Sequence, residues 1–413
     1  MDILIKPCTL SGKIRAISSK SDVHRLLIAA ALASGVTKVH FTTLSEDIKA
    51  TVNVLSAMGA RIEIVGDDGD YIASVCGIKQ MPRGIALDAN ECGTTARLIL
   101  PLAAALADSF TLTGKNGLMK RPFKELCDCI AQNDTACSDT FLPITASGKL
   151  NSGKFKIRGD VSSQYISGLL FALPLLNGNS EIHITSTLVS AGYVDMTVNT
   201  LKKFGVKIEK MDYGFFVKGN QSYKSSGTYF AEGDWSNATF WLCANALGAS
   251  IALSGLDKAS LQKDKNIIEI LDAAQNGKNR LQAVSFNGED IPDALPALAT
   301  VLSLAKGKSI ITGGSRLKIK ESDRIATTTA MLSSLGATIE GTDDGFIING
   351  VDTFRGGEVD GANDHRIAMS AAIASQCATG DIIIRGAECV NKSYPTFFED
   401  FKKLGGKFDV ING

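Results

Sequence analysis

Two acidic residues stand at positions where a carboxyl group could do chemistry. Asp293 lies in the segment DIPDAL, and Glu321 lies among lysine and arginine in KIKESDR. A carboxyl group with such neighbours can act as a general acid or a general base, because its surroundings set its protonation state. Both residues are also compatible with a salt-bridge network, and Asp293 is compatible with a helix cap. The sequence leaves these interpretations open.

Positive charges gather where polar loops run into predicted helices. The chain has 43 Lys and Arg against 43 Asp and Glu, so this local concentration stands out against a net charge of zero. Free N–H groups and the helix dipole make a helix N-terminus attractive to anions, whereas simple capping needs no cations. The pattern therefore predicts a cleft that attracts anions. Its cations are Lys20, Arg25, Arg97, Lys120, Arg121, Lys318, Lys320, Arg324, Arg366 and Lys392.

Two further motifs allow more than one interpretation. Ser162, Ser163 and Gln164 offer two hydroxyls and an amide to a phosphate, but they are equally typical of a helix start. Cys92 precedes Gly93, and no histidine is evident that could activate it as a nucleophile. We interpret Cys92 as a small packing residue.

Composition excludes several classes of protein. A net charge of zero argues against binding nucleic acid or an acidic membrane in bulk. The nine cysteines include no CxxC pair, and four histidines give little support for a zinc site. The longest apolar run, residues 98–107, is about half of a membrane span. We expect a soluble protein of the cytoplasm without a metal.

Six times, a short polar motif runs directly into an apolar helix rich in Ala and Leu. The motifs follow one another at intervals of 57 to 73 residues. Each unit reads as strand, helix, strand, helix, strand, strand, with an apolar first helix and an amphipathic second helix. This pattern predicts an α/β fold of six repeats in two domains of three. The anchor residues are Lys20, Gly93, Ser163, Ser236, Asp293 and Asp364.

The second helix of a repeat ends near a glycine and leads into a β-branched strand. Gly59, Gly205 and Gly336 occupy the predicted C-caps, each followed by a turn and a short hairpin strand. Asn133 stands where a fourth copy would have its glycine.

The motifs together resemble those of the 5-enolpyruvylshikimate-3-phosphate synthase family. SKSxxxR, GTTxR, MKRP, VSSQ, LVSxxYVDMT, IPDA, KESDR, NDHRIAM and NKSYP occur in the family's order from end to end. The resemblance implies two inside-out α/β domains, each built from three βαβαββ units. The N-terminal domain would span 14–229, and the C-terminal domain 1–13 and 230–413.

The resemblance also implies a reaction. The 5-hydroxyl of shikimate 3-phosphate attacks C2 of phosphoenolpyruvate while C3 is protonated, and the tetrahedral intermediate then loses phosphate. This step belongs to aromatic amino acid biosynthesis and needs no metal or organic cofactor. The family further implies a monomer whose partners are these two substrates. Because they carry several negative charges, we expect the two domains to close and exclude water when shikimate 3-phosphate binds.

Site residues are transferred from the family position by position. Asp293 resembles the base at the 5-hydroxyl and Glu321 the acid at C3, but the sequence does not decide how these two and Lys20 share the protons. The residues that match shikimate 3-phosphate contacts are Lys20, Ser21, Arg25, Ser162, Ser163, Gln164, Ser190, Asp293 and Lys320, with Tyr193 nearby. The residues that match phosphoenolpyruvate contacts are Lys20, Gly93, Arg121, Gln164, Arg324, Arg366 and Lys392.

Three positions depart from the family pattern. The first motif reads ISSKS instead of the common PGSKS. Glu91 replaces a common Asn, and its carboxylate would repel phosphoenolpyruvate unless it is paired or points away. Arg316 replaces another common Asn and is left out of the site. Gly93 is kept, as in family members that are sensitive to glyphosate.

Two other functions are compatible with part of this pattern. The sister enzymes that act on UDP-N-acetylglucosamine have Lys-Asn in the first motif and a loop cysteine, where this chain has Lys20-Ser21 and Asn116. A binding protein for anions would keep the cations but would have no need for Asp293 and Glu321 together.

Overall fold

The chain divides into two structural units. A computed structural model describes residues 1–67, 69–275 and 280–412. Residues 20–231 form one unit, here called the inserted unit, and residues 1–19 with 232–413 form the other, the flanking unit. Both boundaries fall later than the expected 13/14 and 229/230. The first moves because residues 11–15 pair in parallel with residues 250–254, which ties this segment to the flanking unit.

Twelve α-helices occur in the described ranges. Short 3₁₀ turns add Asn116–Lys120, Leu173–Leu175, Lys263–Asn266, Pro292–Ala294, Ser315–Ile319, Ser375–Cys377 and Ala387–Lys392. The α-helices are α1 (Lys20–Leu32), α2 (Glu46–Ala57), α3 (Gly93–Leu106), α4 (Lys124–Ala131), α5 (Ser163–Ala172), α6 (Ala191–Lys203), α7 (Trp235–Ala246), α8 (Ile267–Gln275), α9 (Leu295–Leu302), α10 (Arg324–Ser334), α11 (His365–Ala374) and α12 (Phe397–Lys403).

Twenty-four strands occur in the same part of the chain. Those before residue 150 are β1 (Asp2–Lys6), β2 (Ser11–Arg15), β3 (Ala33–Ser34), β4 (Val36–Phe41), β5 (Arg61–Asp67), β6 (Asp70–Cys76), β7 (Ile85–Asp88), β8 (Ser109–Thr113), β9 (Ala136–Cys137) and β10 (Ile144–Ser147). The others are β11 (Lys154–Ile157), β12 (Ser180–Ile184), β13 (Ile208–Met211), β14 (Gly214–Val217), β15 (Tyr223–Lys224), β16 (Thr228–Phe230), β17 (Ser250–Ser254), β18 (Ser285–Asn287), β19 (Lys308–Thr312), β20 (Thr338–Thr342), β21 (Gly345–Asn349), β22 (Gly357–Asp360), β23 (Ile382–Arg385) and β24 (Lys407–Asn412).

Five four-stranded sheets share one topology, which confirms the predicted α/β repeat. In the sheet β7-β8-β10-β9, β7 is parallel to β8, while β10 is antiparallel to both β8 and β9. The sheets β11-β12-β14-β13, β18-β19-β21-β20, β16-β4-β6-β5 and β22-β23-β1-β24 repeat this order and direction. In four of these sheets an apolar helix connects the two parallel strands, as a parallel crossover requires, and the last two strands form a hairpin in most copies.

Three repeats differ from the simple pattern. The first repeat takes its parallel edge strand from β16, at the far end of the inserted unit. The last repeat takes its third strand in spatial order from β1, at the start of the chain. The fourth repeat pairs only β2 with β17 among the described residues.

Burial separates the helices into the two predicted kinds. The first helices of the repeats, α1, α3, α5, α7, α9 and α11, bury at least three quarters of their residues. The second helices, α2, α4, α6, α8, α10 and α12, bury half or fewer. Each unit has its own hydrophobic core, to which its three apolar helices contribute. In the described ranges, no helix is both long enough and apolar enough to cross a membrane.

The predicted glycine caps end the second helices of three repeats. Gly59 has a φ of 106°, and the N–H groups of Gly59 and Ala60 bond back to Ser56 and Leu55, which is the Schellman arrangement. Gly205 and Gly336 close α6 and α10 in the same way. At the degenerate copy after α4, the left-handed residue is Asp134, with a φ of 71°, and not Asn133, which stands where the other copies have glycine.

Candidate active site

Lys20 begins α1 and is held by an aspartate from α2. Its Nζ lies 2.6 Å from Oδ2 of Asp47, and the two side chains are 16% and 12% exposed. Ser45 caps α2 by accepting the N–H of Ile48, so the helix turn that carries Asp47 is fixed. Sequence reasoning missed Asp47 because nothing in its own segment marks it as a partner of Lys20.

Arg25 joins α1 to α6. It is 1% exposed, and its Nε donates to Oγ1 of Thr197 at 2.8 Å. Its two terminal nitrogens donate to the carbonyl oxygens of Ser21 and Tyr193 at 2.7 and 2.9 Å. Ser190, buried and left-handed with a φ of 52°, directly precedes α6. The N-terminal ends of α1 and α6 therefore lie next to each other, and four predicted residues lie around them. Three were predicted to contact shikimate 3-phosphate and the fourth to lie nearby: Ser21, Arg25, Ser190 and Tyr193.

A second group surrounds the start of α3. A Cβ built on Gly93 would lie 2.9 Å from Nη1 of Arg121 and 3.1 Å from Nη1 of Arg97. Arg97 donates to Oε1 of Gln164 at 2.8 Å, and the amide of Gln164 donates to Thr94 at 2.8 Å. The missing side chain of Gly93 thus allows two guanidinium groups to lie against a helix N-terminus, where an anion is favoured.

The serines of the VSSQ motif start α5. The hydroxyl of Ser162 accepts the N–H of Gln164 at 3.3 Å and so caps the helix. Ser163 is the first helical residue and is 5% exposed. The capping interpretation is therefore confirmed for Ser162, while a phosphate contact stays a prediction for both serines.

In the flanking unit, Arg324 binds three carboxylates. It is 1% exposed, and its Nη1, Nη2 and Nε donate to Asp293, Glu321 and Asp364 at 2.6, 2.6 and 2.7 Å. Asp323 caps α10 and so fixes the first turn that carries Arg324. Asp293 and Glu321, the two carboxylates that could move protons, are therefore bound to neighbouring nitrogens of the same guanidinium group. Asp364 was noted in the sequence only as a motif anchor, yet it is the fully buried counter-ion of this group.

The charges around Asp293 control its protonation. Nζ of Lys320 lies 3.2 Å from its carboxylate. Burial alone would raise the pKa of Asp293, but Lys320, Arg324 and Arg366 outweigh it and hold this pKa well below 3.8. Burial lowers the pKa of Lys320, while Asp293 opposes that effect. Asp293 is therefore ionised at neutral pH and is a weak base as long as these cations face it alone.

Arg366 and Lys392 complete the predicted set in the flanking unit. The two terminal nitrogens of Arg366 donate to the carbonyl and hydroxyl oxygens of Ser236 at 2.7 and 2.8 Å, and its guanidinium lies over the ring of Phe240. Nζ of Lys392 donates to the carbonyl of Asn363 at 2.8 Å, next to the cap of α11. All six candidate residues of this unit therefore belong to one connected region around Arg324 and α11.

Comparisons with known proteins bear on this geometry. The sequence model of the family described as EPSP synthase (3-phosphoshikimate 1-carboxyvinyltransferase) matches residues 5–401. A Clostridium kluyveri protein named 3-phosphoshikimate 1-carboxyvinyltransferase is 40% identical over 98% of both chains. A protein of the same name from Clostridium perfringens is 41% identical over 98% of both chains.

The chain belongs to the EPSP synthase family. The resemblance drawn from the motifs is thereby confirmed. Among solved structures, EPSP synthase from Acinetobacter baumannii superposes with a TM-score of 0.80 at 24% identity, covering 99% of this chain and 100% of that one. The enolpyruvyl transferase NikO from Streptomyces tendae gives 0.79 at 17% identity, covering 99% and 98%. These two likenesses support the fold.

Two departures from the EPSP synthase pattern have structural partners. The carboxylate of Glu91 accepts a hydrogen bond from the amide of Asn116 at 2.7 Å, which orients the carboxylate without neutralising its charge. Arg316 donates to the carbonyl of Glu289 at 3.0 Å and also lowers the pKa of Lys320, behind the larger effects of burial, Asp293 and Arg324. Arg316 thus adds a cation near the predicted site.

The environment of Cys92 differs from the sequence expectation in one respect. A histidine does lie near it: Nε2 of His24 is 3.9 Å from Sγ. Burial, reinforced by Asp47, raises the pKa of Cys92 to about 12. Burial, with Lys20 and Arg25, lowers the pKa of His24 well below 6.5. Both groups are uncharged at neutral pH, so the thiolate that a nucleophile needs is absent.

Proposed function

We propose that this protein transfers the enolpyruvyl group of phosphoenolpyruvate to the 5-hydroxyl of shikimate 3-phosphate and releases phosphate. The observation that supports it most is that Asp293 and Glu321 both accept hydrogen bonds from one buried guanidinium group, that of Arg324. Addition and elimination require one group that removes a proton and another that delivers one, close together. Family membership supplies the substrate class.

The proposed addition step uses these two carboxylates. Asp293 takes the proton from the 5-hydroxyl as its oxygen attacks C2 of phosphoenolpyruvate, and Glu321 delivers a proton to C3. In the elimination step C3 loses a proton, the bond from C2 to the phosphate oxygen breaks, and the enol ether forms. Lys20 remains a third candidate for each of these proton transfers.

Anion binding adjusts the basicity of Asp293 in this scheme. Lys320, Arg324 and Arg366 hold its pKa low, and the proposed substrates place phosphate and carboxylate groups on the same cations. Negative charge near these residues offsets part of their effect, so the pKa of Asp293 rises when both substrates are bound. Its base strength is then greatest when the 5-hydroxyl is present.

The proposed binding residues divide by substrate. For shikimate 3-phosphate we propose Ser21, Arg25, Ser162, Ser163, Ser190, Asp293 and Lys320, with Lys20 and Gln164 near both substrates. For phosphoenolpyruvate we propose Gly93, Arg121, Arg324, Arg366 and Lys392. The grouping of Gly93 with Arg121, and of Arg366 with Arg324 around Asp364, supports the second set.

The cellular compartment, the partners and the oligomeric state are part of the same proposal. The structure describes all nine cysteines, and none of them is in a disulfide, which fits a reducing cytoplasm. The net charge of zero fits a protein with small-molecule partners and without nucleic acid. We further propose that it acts as a monomer without a metal or organic cofactor.

Transfer to UDP-N-acetylglucosamine is the alternative that the sequence left open. Asn116 stands where that sister family has a loop cysteine, and its amide is engaged by Glu91. A reaction that relied on a thiol at this position has no thiol here.

The exchange Asp293→Asn tests the acid–base assignment. We expect turnover to fall by about 10²- to 10⁴-fold, the usual contribution of a general base. Binding of shikimate 3-phosphate, measured by calorimetry, should change only a few-fold because the amide keeps the shape. Asp290→Asn is the matched control, since Asp290 is an exposed carboxylate three residues away. Full turnover in the Asp293 variant would remove this residue from the mechanism, and a parent that binds without turnover would favour a binding protein.

A further inference from the structure

A histidine, an aspartate and a cysteine meet next to Lys20. His24 lies on α1, Asp47 on α2 and Cys92 at the cap of α3. One ligand atom of each lies within 4.8 Å of the others, and all three residues are buried. The proposed reaction uses none of the three.

We propose that this cluster is a binding site for a thiophilic divalent cation of the Zn²⁺ type. Thiolate, imidazole and carboxylate are the three ligand classes that zinc takes in proteins, and three protein ligands leave a fourth position for water. Calcium and magnesium need several oxygen ligands and are not matched by this set.

The spacing suits a tetrahedral ion after a small contraction. With bonds of about 2.3 Å to sulfur and about 2.1 Å to nitrogen, tetrahedral ligand atoms lie about 3.6 Å apart. Sγ of Cys92 and Nε2 of His24 are already 3.9 Å apart. No pair of ligand atoms is more than 4.8 Å apart, so a movement of about 1 Å closes the site.

The second nitrogen of His24 is supported as metal ligands usually are. Nδ1 lies 2.7 Å from Oγ1 of Thr51, and Thr51 lies 2.6 Å from Oγ1 of Thr95. When Nδ1 donates to Thr51, the lone pair of Nε2 faces Cys92, and the threonine pair fixes the ring. Binding then replaces the S–H bond of Cys92 by a metal–sulfur bond, and the proton leaves to water.

Metal binding would disturb Lys20. Its ammonium group lies 2.6 Å from the carboxylate of Asp47, which the cation would take over. Two positive centres on one carboxylate repel each other, which favours displacement of Lys20 from Asp47. Inhibition by the metal follows from this displacement and rests on the proposed function, whereas the binding itself does not.

Titration with Co²⁺, a spectroscopic substitute for Zn²⁺, tests the binding. We expect one equivalent to give the near-ultraviolet absorption of a cobalt–thiolate bond in the parent and in Cys129→Ala, a control at an equally buried thiol. Cys92→Ala should lose this band, and Thr51→Val should weaken binding by about 10- to 100-fold. Cys92→Ser, whose hydroxyl can replace the sulfur as the cap of α3, provides a second variant if the alanine variant does not fold. No band in the parent, or an unchanged band in both Cys92 variants, would overturn the proposal.

The effect of the metal on activity is measured as the rate of phosphate release with and without Zn²⁺. We expect inhibition in the parent and in Cys129→Ala, reversal by a chelator, and no inhibition in Cys92→Ala. A metal that binds through Cys92 but leaves turnover unchanged would overturn the displacement of Lys20. A metal-free parent without turnover would refute the proposed function, while the cobalt spectra would still decide the site.

Discussion

At the scale of single residues, the corner around Gly93 shows how a missing side chain shapes the site. Its absent Cβ lets the guanidinium groups of Arg121 and Arg97 approach the start of α3. Arg121 is 7% exposed, so a bond from it to an anion is little weakened by solvent. The position therefore offers a charge-assisted bond to one substrate, which we propose to be phosphoenolpyruvate.

The exchange Arg121→Ala measures that bond. A lost charge-assisted hydrogen bond costs about 1.5–3 kcal/mol, so the Michaelis constant for phosphoenolpyruvate should rise by about 10- to 150-fold. Lys124→Ala is the control, because Lys124 is an exposed cation three residues away whose partner is Asp128. Steady-state kinetics with both substrates varied would show the effect. Equal Michaelis constants in the two variants would reject the assignment of Arg121.

The sequence predicted single site residues better than their partners. Motif spacing identified Lys20 and Arg324, but Asp47 and His24 lie near their partners only because α1, α2 and α3 pack side by side. Such contacts join residues 27 to 68 positions apart. No local pattern encodes a distance of this kind, so the environment of Cys92 could be seen only in the folded chain.

At the scale of elements, two helix ends with the same motif differ in the space around them. Gly59 has a φ of 106°, and a Cβ there would lie 2.8 Å from the carbonyl oxygen of Gln80. Gly205 has a φ of 75°, and its Cβ would meet only the side chain of Lys224 at 3.6 Å. Both require a left-handed residue, but only Gly59 is also confined by a neighbouring backbone.

Alanine at these two positions should separate the two effects. Gly205→Ala should lower the free energy of unfolding by about 1–2 kcal/mol, the cost of a left-handed alanine. Gly59→Ala should cost more, about 3 kcal/mol, because the backbone must also shift. Urea unfolding of both variants measures the difference. A smaller loss for Gly59→Ala than for Gly205→Ala would contradict this explanation.

Elements were predictable where glycine and hydrophobic period acted together. The helices that end at Gly59, Gly205 and Gly336 and the hairpins after them were all expected. After α4 no glycine marks the turn, and the left-handed residue is Asp134, one position beyond Asn133, because aspartate tolerates the left-handed region.

At the scale of the whole molecule, the ends of the chain meet in one sheet. β1 lies between β23 and β24, and Asp2 at its start accepts bonds from Arg385, Gly386 and Asn412. Arg385 leads the other two in lowering the pKa of Asp2 from 3.8 to about 2. The carboxylate thereby ties three strands of the flanking unit.

Acid should weaken this tie in a defined interval. Because the pKa of Asp2 is lower in the folded chain, its contribution is complete above pH 3.8 and is lost as the pH falls through about 2. Between these values, the free energy of unfolding should fall less steeply in Asp2→Asn than in the parent. Asp409→Asn is the control on the neighbouring strand, where Lys6 is 3.8 Å away. Urea unfolding at several pH values measures this dependence. The same pH dependence of the free energy of unfolding in Asp2→Asn and Asp409→Asn would contradict the explanation.

The repeat count was predictable, but the closure of the sheets was not. A period of about 70 residues reveals units in sequence order, whereas β16 and β1 join sheets whose other strands lie far away along the chain. The two-stranded sheet of the fourth repeat, β2 with β17, was equally unpredictable, because the sequence motif of this repeat looks like the other five. Closure of the two units on shikimate 3-phosphate stays a prediction.

Phosphate release from phosphoenolpyruvate, with each acceptor offered separately, tests the central claim most directly. We expect shikimate 3-phosphate to yield one phosphate per enol ether formed, and UDP-N-acetylglucosamine to yield none. Release with UDP-N-acetylglucosamine alone, or with neither acceptor, would contradict the proposed function.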